Sequence, residues 1–385
     1  MEEWIKCPLG DILNFRRGHD LPKTSMVPGD IPVAGSNGII GFHNVSTPIS
    51  PCITIGRSGN VGTPYIYDIC WAHNTVLYID DYKGNDPKYL YYLLKTLPLA
   101  SFGGGSAVPT LNRNHIHPME VIFCKDTELQ KKIAGILSKI DDKIELNRQI
   151  NDNLELQAQT LYKSWFVDFE PFQNGKFIES ELGLIPEGWK IGKINDVINL
   201  LSGFPFKSSD FQENGDYQLI TIKGVQDGYL DVTSADRLSS LPSKMPQYCI
   251  LNIGDILISL TGNVGRICIV DRNNLLLNQR VAILSPKNIR DSFYAYTMFR
   301  SESMKNELIH LARGTAQLNL SPIETGEKLT VIPPDNILEA FAKVGKGTFN
   351  QYISLKMENI RLMEMRDSLL PKLMSGELKI NEIDC

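Results

Sequence analysis

From Thr127 to about Trp165, apolar side chains return every three or four positions: Ile133, Ile136, Ile140, Ile144, Ile150, Leu154 and Leu161. No proline interrupts the run, and Gly135 is its only glycine. That period puts the apolar residues on one face, so the sequence predicts a single long helix. One column at seven-residue spacing reads Ile133, Ile140, Asn147, Leu154, Leu161. Shifted by 209 it reads Ala342, Phe349, Lys356, Met363, Leu370, which predicts a second long helix. Both columns have a polar residue at the middle, and an Asn there can fix register and partner orientation. A helix of roughly 35–40 residues is about 50–60 Å long, more than one domain of this size can cover. The two helices are therefore expected to pair antiparallel about a pseudo-twofold axis, as a coiled-coil spacer with a globular domain at either end.

The rest of the chain is strand-like and broken by Gly, Pro and Asn, with runs such as Cys52–Ile55 and Asp255–Ile258. A short helix is expected after each set of strands, at Pro87–Thr96 and Ser292–Arg300. These two regions repeat one another. Trp4, Asp11, Asn14 and Gly18 return as Trp189, Asp196, Asn199 and Gly203 at an offset of 185. Gly59-Asn60-Val61-Gly62 returns as Gly262-Asn263-Val264-Gly265 at 203, and Gly105-Ser106-Ala107 as Gly314-Thr315-Ala316 at 209. Asp126 and Leu129 match Asp335 and Leu338, again at 209. An offset that grows in steps is what a duplicated unit with loop insertions produces. The fold class expected is α+β, with two domains built on small irregular β-cores. The boundaries expected are 1–125, a helix and linker at 126–185, a second domain at 186–334, and a helix and tail at 335–385.

Composition narrows the function by exclusion. The chain has 385 residues, 42% hydrophobic and 22% charged, which is ordinary for globular domains. It has no stretch of membrane-spanning length and no secretory h-region, so a cytoplasmic, non-membrane protein is expected. Seven scattered cysteines without a C-x-x-C pair read as reduced thiols. The net charge of −5 argues against coating nucleic acid by charge alone. However, residues 1–125 and 186–334 are each neutral, and the acidity lies in the helical segments.

Catalytic patterns are lacking. Gly345-Lys346-Gly347-Thr348 lacks the first glycine of a phosphate loop, and Ile332-Pro333-Pro334-Asp335 lacks the aromatic of an adenine methyltransferase motif. Asp335 with Glu377 and Lys379 mimics a nuclease motif, but a long predicted helix separates them. His115-x-His117 has no further ligand cluster beside it. Neither a catalytic nor a metal site is expected in this chain.

What the turn-rich regions do carry is donors that suit DNA. In the first repeat these are Arg16, Arg17, Lys23, Asn37, Arg57, Ser58, Asn60, His73, Asn74 and Arg113, with Ser106, Thr110 and Asn112 among them. In the second they are Lys207, Lys223, Asn263, Arg266, Gln279, Arg280, Arg313, Gln317 and Asn319, with Thr315. At matched places the framework agrees while the polar residues differ: Ser58 against Thr261, Asn74 against Gln279, Thr75 against Arg280. Two readers of different sequences on one scaffold would show that pattern.

Four segments resemble the specificity subunits of type I restriction–modification enzymes. Ile133–Asn147 and Ser164–Phe172 are similar to that family's central helical region. Ile185-Pro186-Glu187-Gly188-Trp189 resembles the lead into a target recognition domain, and Leu369–Leu378 resembles the distal end. The first repeat departs by starting almost at Trp4, without the Ile-Pro-x-Gly lead, and the C-terminal tail is a candidate to fill that place. The resemblance implies a non-catalytic DNA-reading scaffold. Each recognition domain would bind one half of a split site on double-stranded DNA, while the helices set the gap and dock two modification subunits. S-adenosylmethionine for adenine methylation would belong to those subunits, and ATP and magnesium to motor–nuclease restriction subunits; this chain would need no cofactor. The alternatives are a self-contained methyltransferase or nuclease, and an adaptor that binds only proteins.

Overall fold

The computed structural model describes residues 4–104, 109–314 and 317–380. The chain divides into two units, Met1–Glu145 with Arg361–Cys385, and Leu146–Ile360. Both are α+β and share one plan. In the first unit, Asn14–Arg17, Val76–Asp81, Cys52–Gly56 and Pro64–Tyr67 form an antiparallel sheet in that order. In the second, Ile198–Ser202, Val281–Pro286, Ile256–Ser259 and Ile267–Ile269 do the same. Each unit also has a second sheet containing one parallel pairing, Ile31–Gly35 with Trp71–Ala72 and Tyr217–Ile220 with Leu275–Leu277. A two-stranded ribbon completes each plan, Trp4–Pro8 with Glu120–Cys124 and Lys190–Lys193 with Leu329–Ile332. The duplication read from the sequence is thus a duplication of topology.

The short helices fall at Pro87–Thr96 and Ser292–Arg300, as expected. The first starts where Asp86 accepts the N–H of Tyr89 (2.8 Å) and Pro87 supplies a preset φ. The long helices run from Thr127 to Phe166 and from Asp335 to Ser375. Asp126 Oδ1 accepts the N–H groups of Glu128 and Leu129 and so opens the first. The second ends at Gly376, in the left-handed conformation (φ +74°), where a Cβ would lie 2.6 Å from Trp4.

The helices pack antiparallel within each unit. In the second unit Asn147 meets Asn359, while Trp165 and Phe166 meet Phe341 at ring separations of 5.5 and 4.7 Å. In the first unit Asp141 is paired with Arg366 (2.7 Å), and Ile133, Ala134 and Leu137 share a core with Leu370, Leu373 and Met374. Most buried positions of the two helices match at an offset of 208. Ile133, Leu137, Ile144, Asn151, Tyr162 and Phe166 correspond to Phe341, Gly345, Tyr352, Asn359, Leu370 and Met374. This corrects the offset of 209 expected for the column. Of the residues in that column, Ile133, Asn147, Phe349 and Leu370 are buried, while Ile140, Leu154, Leu161, Ala342, Lys356 and Met363 are half-buried. Lys356 is not a counterpart of Asn147. Its ammonium donates to the main-chain oxygen of Gly228 (2.7 Å) and lies 4.8 Å from the Tyr352 ring.

The Asn147 amide donates to Asn359 Oδ1 and Glu358 Oε2, both at 2.9 Å. Asn359→Leu alone withdraws one of these acceptors from a buried amide and is expected to cost about 1–3 kcal/mol. Asn147→Leu with Asn359→Leu removes donor and acceptor together and is expected to recover most of that loss. A double-mutant cycle by urea unfolding of the full chain checks it; additive losses would contradict a specific Asn–Asn contact.

The C-terminal tail joins the first unit. Leu378 and Ile380 pack on the core that holds Leu9, Phe15 and Leu137, beside Trp4. In the second unit the matching Trp189 is met instead by Phe169 and Phe172, at 5.3 and 5.1 Å.

Candidate nucleic-acid interface

Three backbone segments build the same frame in each unit. In the first, the Arg57 N–H donates to Thr75 O (2.8 Å), Leu111 N–H to Arg57 O (2.7 Å) and Gly62 N–H to Gly56 O (2.8 Å). In the second, Leu260 N–H donates to Arg280 O (3.0 Å), Leu320 N–H to Leu260 O (2.7 Å) and Gly265 N–H to Ser259 O (2.9 Å). Single bridges close both frames, Ser58 with Thr110 and Thr261 with Asn319. Gly59, Gly62, Gly262 and Gly265 all have φ between +75° and +84°, so this loop requires its glycines in both copies. The Gly59-Asn60-Val61-Gly62 match is therefore a match of loop conformation.

The frame of the first unit gathers arginines. Arg16 and Arg17 from one strand, Arg57 from the loop and Arg113 from the segment after Thr110 line one concavity of about 420 Å³, with Thr110 and Asn112. Arg57 Nη1 donates to Asn74 O (3.3 Å) and Arg113 Nη1 to Phe15 O (3.1 Å). Among the described residues one carboxylate pairs with the four: Asp20, at 3.2 Å from Arg17. The Asn74 amide also donates to Asp20. That bond holds the carboxyl below its usual range, against slight burial, with help from Arg17, His73 and Arg57. Asp20 was not singled out in the sequence; its signal lies in its place three residues after Arg17.

Other expected residues fall as follows. His73 and Asn74 lie on the turn that ends at Val76, where His73 Nδ1 meets Thr75 Oγ1 (3.0 Å). Ser58 and Asn60 are in the glycine loop, and Ser36 brings the turn carrying Asn37 against Gly56 and Gly59. Lys23 lies in a 3-10 turn and is not among the residues lining that concavity. Ser106 lies outside the described residues. His117 is turned inward, where its Nε2 accepts the N–H of Phe15 (3.1 Å). Partial burial, then Arg113 and Lys83, lower its pKa and favour that neutral acceptor.

In the second unit Gln317 lies beside Gly262, Asn319 is bridged to Thr261, and Asn319 exchanges two main-chain hydrogen bonds with Arg313. Arg313 is paired with Glu324 (2.8 Å). Gln279 and Arg280 are exposed on the turn that matches Asn74 and Thr75. Arg266 donates to Gln226 Oε1 (2.5 Å), and the Gln226 amide to Lys223 O (2.6 Å), so these two expected residues belong to a side network. Lys207 is exposed beside a 3-10 turn. Thr315 lies outside the described residues.

Among the described residues no three His, Cys, Asp or Glu side chains are placed to hold a metal, and no helix is long and apolar enough to cross a membrane. Asp335 is the first residue of the second long helix, and Glu377 follows its last residue, Ser375.

The chain matches the family described as type I restriction modification DNA specificity domain twice, at residues 1–156 and 186–335. It is 31% identical over 308 residues to the type I restriction enzyme MjaIX specificity subunit of Methanocaldococcus jannaschii, covering 77% of this chain and 70% of that protein. It is 28% identical over 313 residues to the HindI specificity subunit of Haemophilus influenzae, covering 66% and 68%. Its fold resembles the crystal structure of the type I restriction–modification S subunit from M. genitalium, with a TM-score of 0.58 at 18% identity over 96% of both chains. With both copies of its repeated frame inside the matched segments, the chain belongs to the type I restriction–modification DNA specificity family.

Proposed function

We propose that this chain reads a two-part site on double-stranded DNA for a type I restriction–modification complex and performs no bond-making itself. Each unit reads one half-site, and the long helices fix the gap and dock two modification subunits. Methyl transfer from S-adenosylmethionine to adenine belongs to those subunits. Cleavage and translocation, with ATP and magnesium, belong to motor–nuclease restriction subunits. The observation that carries this reading is the frame built twice from the same main-chain hydrogen bonds, with different polar side chains on each copy. A common scaffold with divergent donors suits recognition of two different base sequences.

Mapping adenine methylation in cells with and without the gene, with the partner subunits active, tests it. A bipartite motif that disappears with the gene is expected; an unchanged methylation pattern would overturn the reading. Removing four residues around Asn151 and the matching four around Asn359 shortens both helices by about 6 Å, roughly two base pairs of DNA. The gap in the methylated motif should shorten while both half-sites persist. Altered half-sites would contradict the division of labour between helices and domains.

A further inference from the structure

The two frames differ in charge, and the difference is concentrated at four positions. Arg16, Arg17, Arg57 and Arg113 correspond to Leu201, Ser202, Leu260 and Pro322 by the offsets of strand, loop and closing segment. The second unit has Arg280 in place of Thr75, and its Arg313 is already engaged by Glu324. The concavity of about 420 Å³ in the first unit is thus a basic cup without a counterpart at the matched places.

We infer that this cup clasps a backbone phosphate of the DNA, and that it makes the first unit the electrostatic anchor of the chain while the second unit reads with little help from charge. The inference rests on the DNA-reading function proposed above. Clustered guanidinium groups repel one another, and Asp20 offsets one charge of four. Arg57 and Arg113 each spend one donor on a main-chain oxygen, which orients them without neutralising them. A guanidinium has five N–H donors, so both keep most of theirs for a ligand. The shape favours phosphate over a base edge. Base reading requires a side chain that projects into a groove, whereas a recess receives a group that projects from the duplex, as phosphate does. Thr110 and Asn112 line the same recess, and residues of these types contact sugar–phosphate oxygens.

The test uses the full chain assembled with its modification subunits and a duplex carrying the motif methylated in the host. Binding is followed by fluorescence anisotropy between about 50 and 300 mM KCl, a range over which phosphate contacts register as a slope. Arg16→Ala is the cleanest variant, because among the described residues the Arg16 side chain has no hydrogen bond or ion pair, while its main chain stays paired with Tyr78 in the sheet. It should weaken cognate and scrambled duplexes by the same factor, about tenfold. It should also reduce the log–log salt slope by about 0.9. Arg16→Lys should keep the slope, and an unchanged melting temperature shows that the fold survives. A methylphosphonate scan should find the sensitive phosphates in one half of the site only, and the loss there should vanish in the Arg16→Ala, Arg57→Ala double variant.

An unchanged slope would overturn the clasp. So would a loss restricted to duplexes with one particular base, which would make the cup a base reader. Displacement of DNA by inorganic phosphate at constant ionic strength would make it a site for a free anion instead. If the wild-type complex shows no preference for the methylated motif, the DNA-reading proposal fails; the slopes still report on the clasp.

Discussion

Gly203→Ala is expected to cost about 3 kcal/mol or more and to erase one half of the recognised site. A Cβ at position 203 would lie 2.3 Å from the carbonyl oxygen of Leu277 and 2.5 Å from that of Asn278. Both are main-chain atoms, so no rotamer change relieves the clash. The Gly203 N–H donates to Val281 O (3.0 Å), and Phe204 O accepts the N–H of Gln279 (3.1 Å), so a shift here moves the turn carrying Gln279 and Arg280. Gly18 has the same role in the first unit. Its N–H donates to Val76 O (3.0 Å), and a Cβ there would lie 2.0 Å from His73 O. Neither glycine has a positive φ, so the requirement is close approach of two backbones rather than conformation. Urea unfolding should show the loss of stability. Methylation mapping should show Gly203→Ala altering one half of the motif and Gly18→Ala the other. Loss of the same half in both variants would contradict one reader per unit.

Phe341→Ala is expected to destabilise the second unit by about 3–5 kcal/mol. Phe341 is fully buried on the second long helix. Its ring stacks on Phe293 at 5.0 Å and meets Phe166 and Trp165 edge-on at 4.7 and 5.5 Å. Phe166 and Trp165 belong to the first long helix and Phe293 to a buried helix of the globular part, so one side chain joins three elements. Aromatic pairs of this geometry add about 0.5–1.5 kcal/mol each to the burial of area. The unfolding midpoint in urea should fall with the slope unchanged. Phe341→Leu should recover much of the loss, because it keeps most of the buried volume. A midpoint unaltered by the alanine would mean that the helix pair is held elsewhere.

These positions were unequally legible. The repeat exposed Gly18 and Gly203 as a matched pair, and the helix period marked both ends of the first long helix to within one residue, whereas the end of the second within 335–385 was left open. The Gly59 and Gly262 loops were recognisable because positive φ admits few residues other than glycine. The register set by residue identity lies one residue from the register set by packing. Asp126 and Asp335 match as letters, yet Asp126 caps the first helix from outside while Asp335 is the first residue inside the second. Identity aligned two aspartates, whereas packing aligns Thr127 with Asp335.

Sequence alone determined the doubling, the helix and turn boundaries, the neutral domains and the absence of a recognisable catalytic motif. Those properties depend on neighbours a few positions away: the 3.6-residue period, a capping side chain, a glycine at a forbidden angle. Tertiary structure decided that Arg16, Arg17, Arg57 and Arg113 share one recess, that Asn147 meets Asn359, and that the tail beyond Gly376 completes the first unit beside Trp4. Those depend on sheet order and helix register, set by pairings between segments far apart in the chain, for which no local pattern of residues is unique.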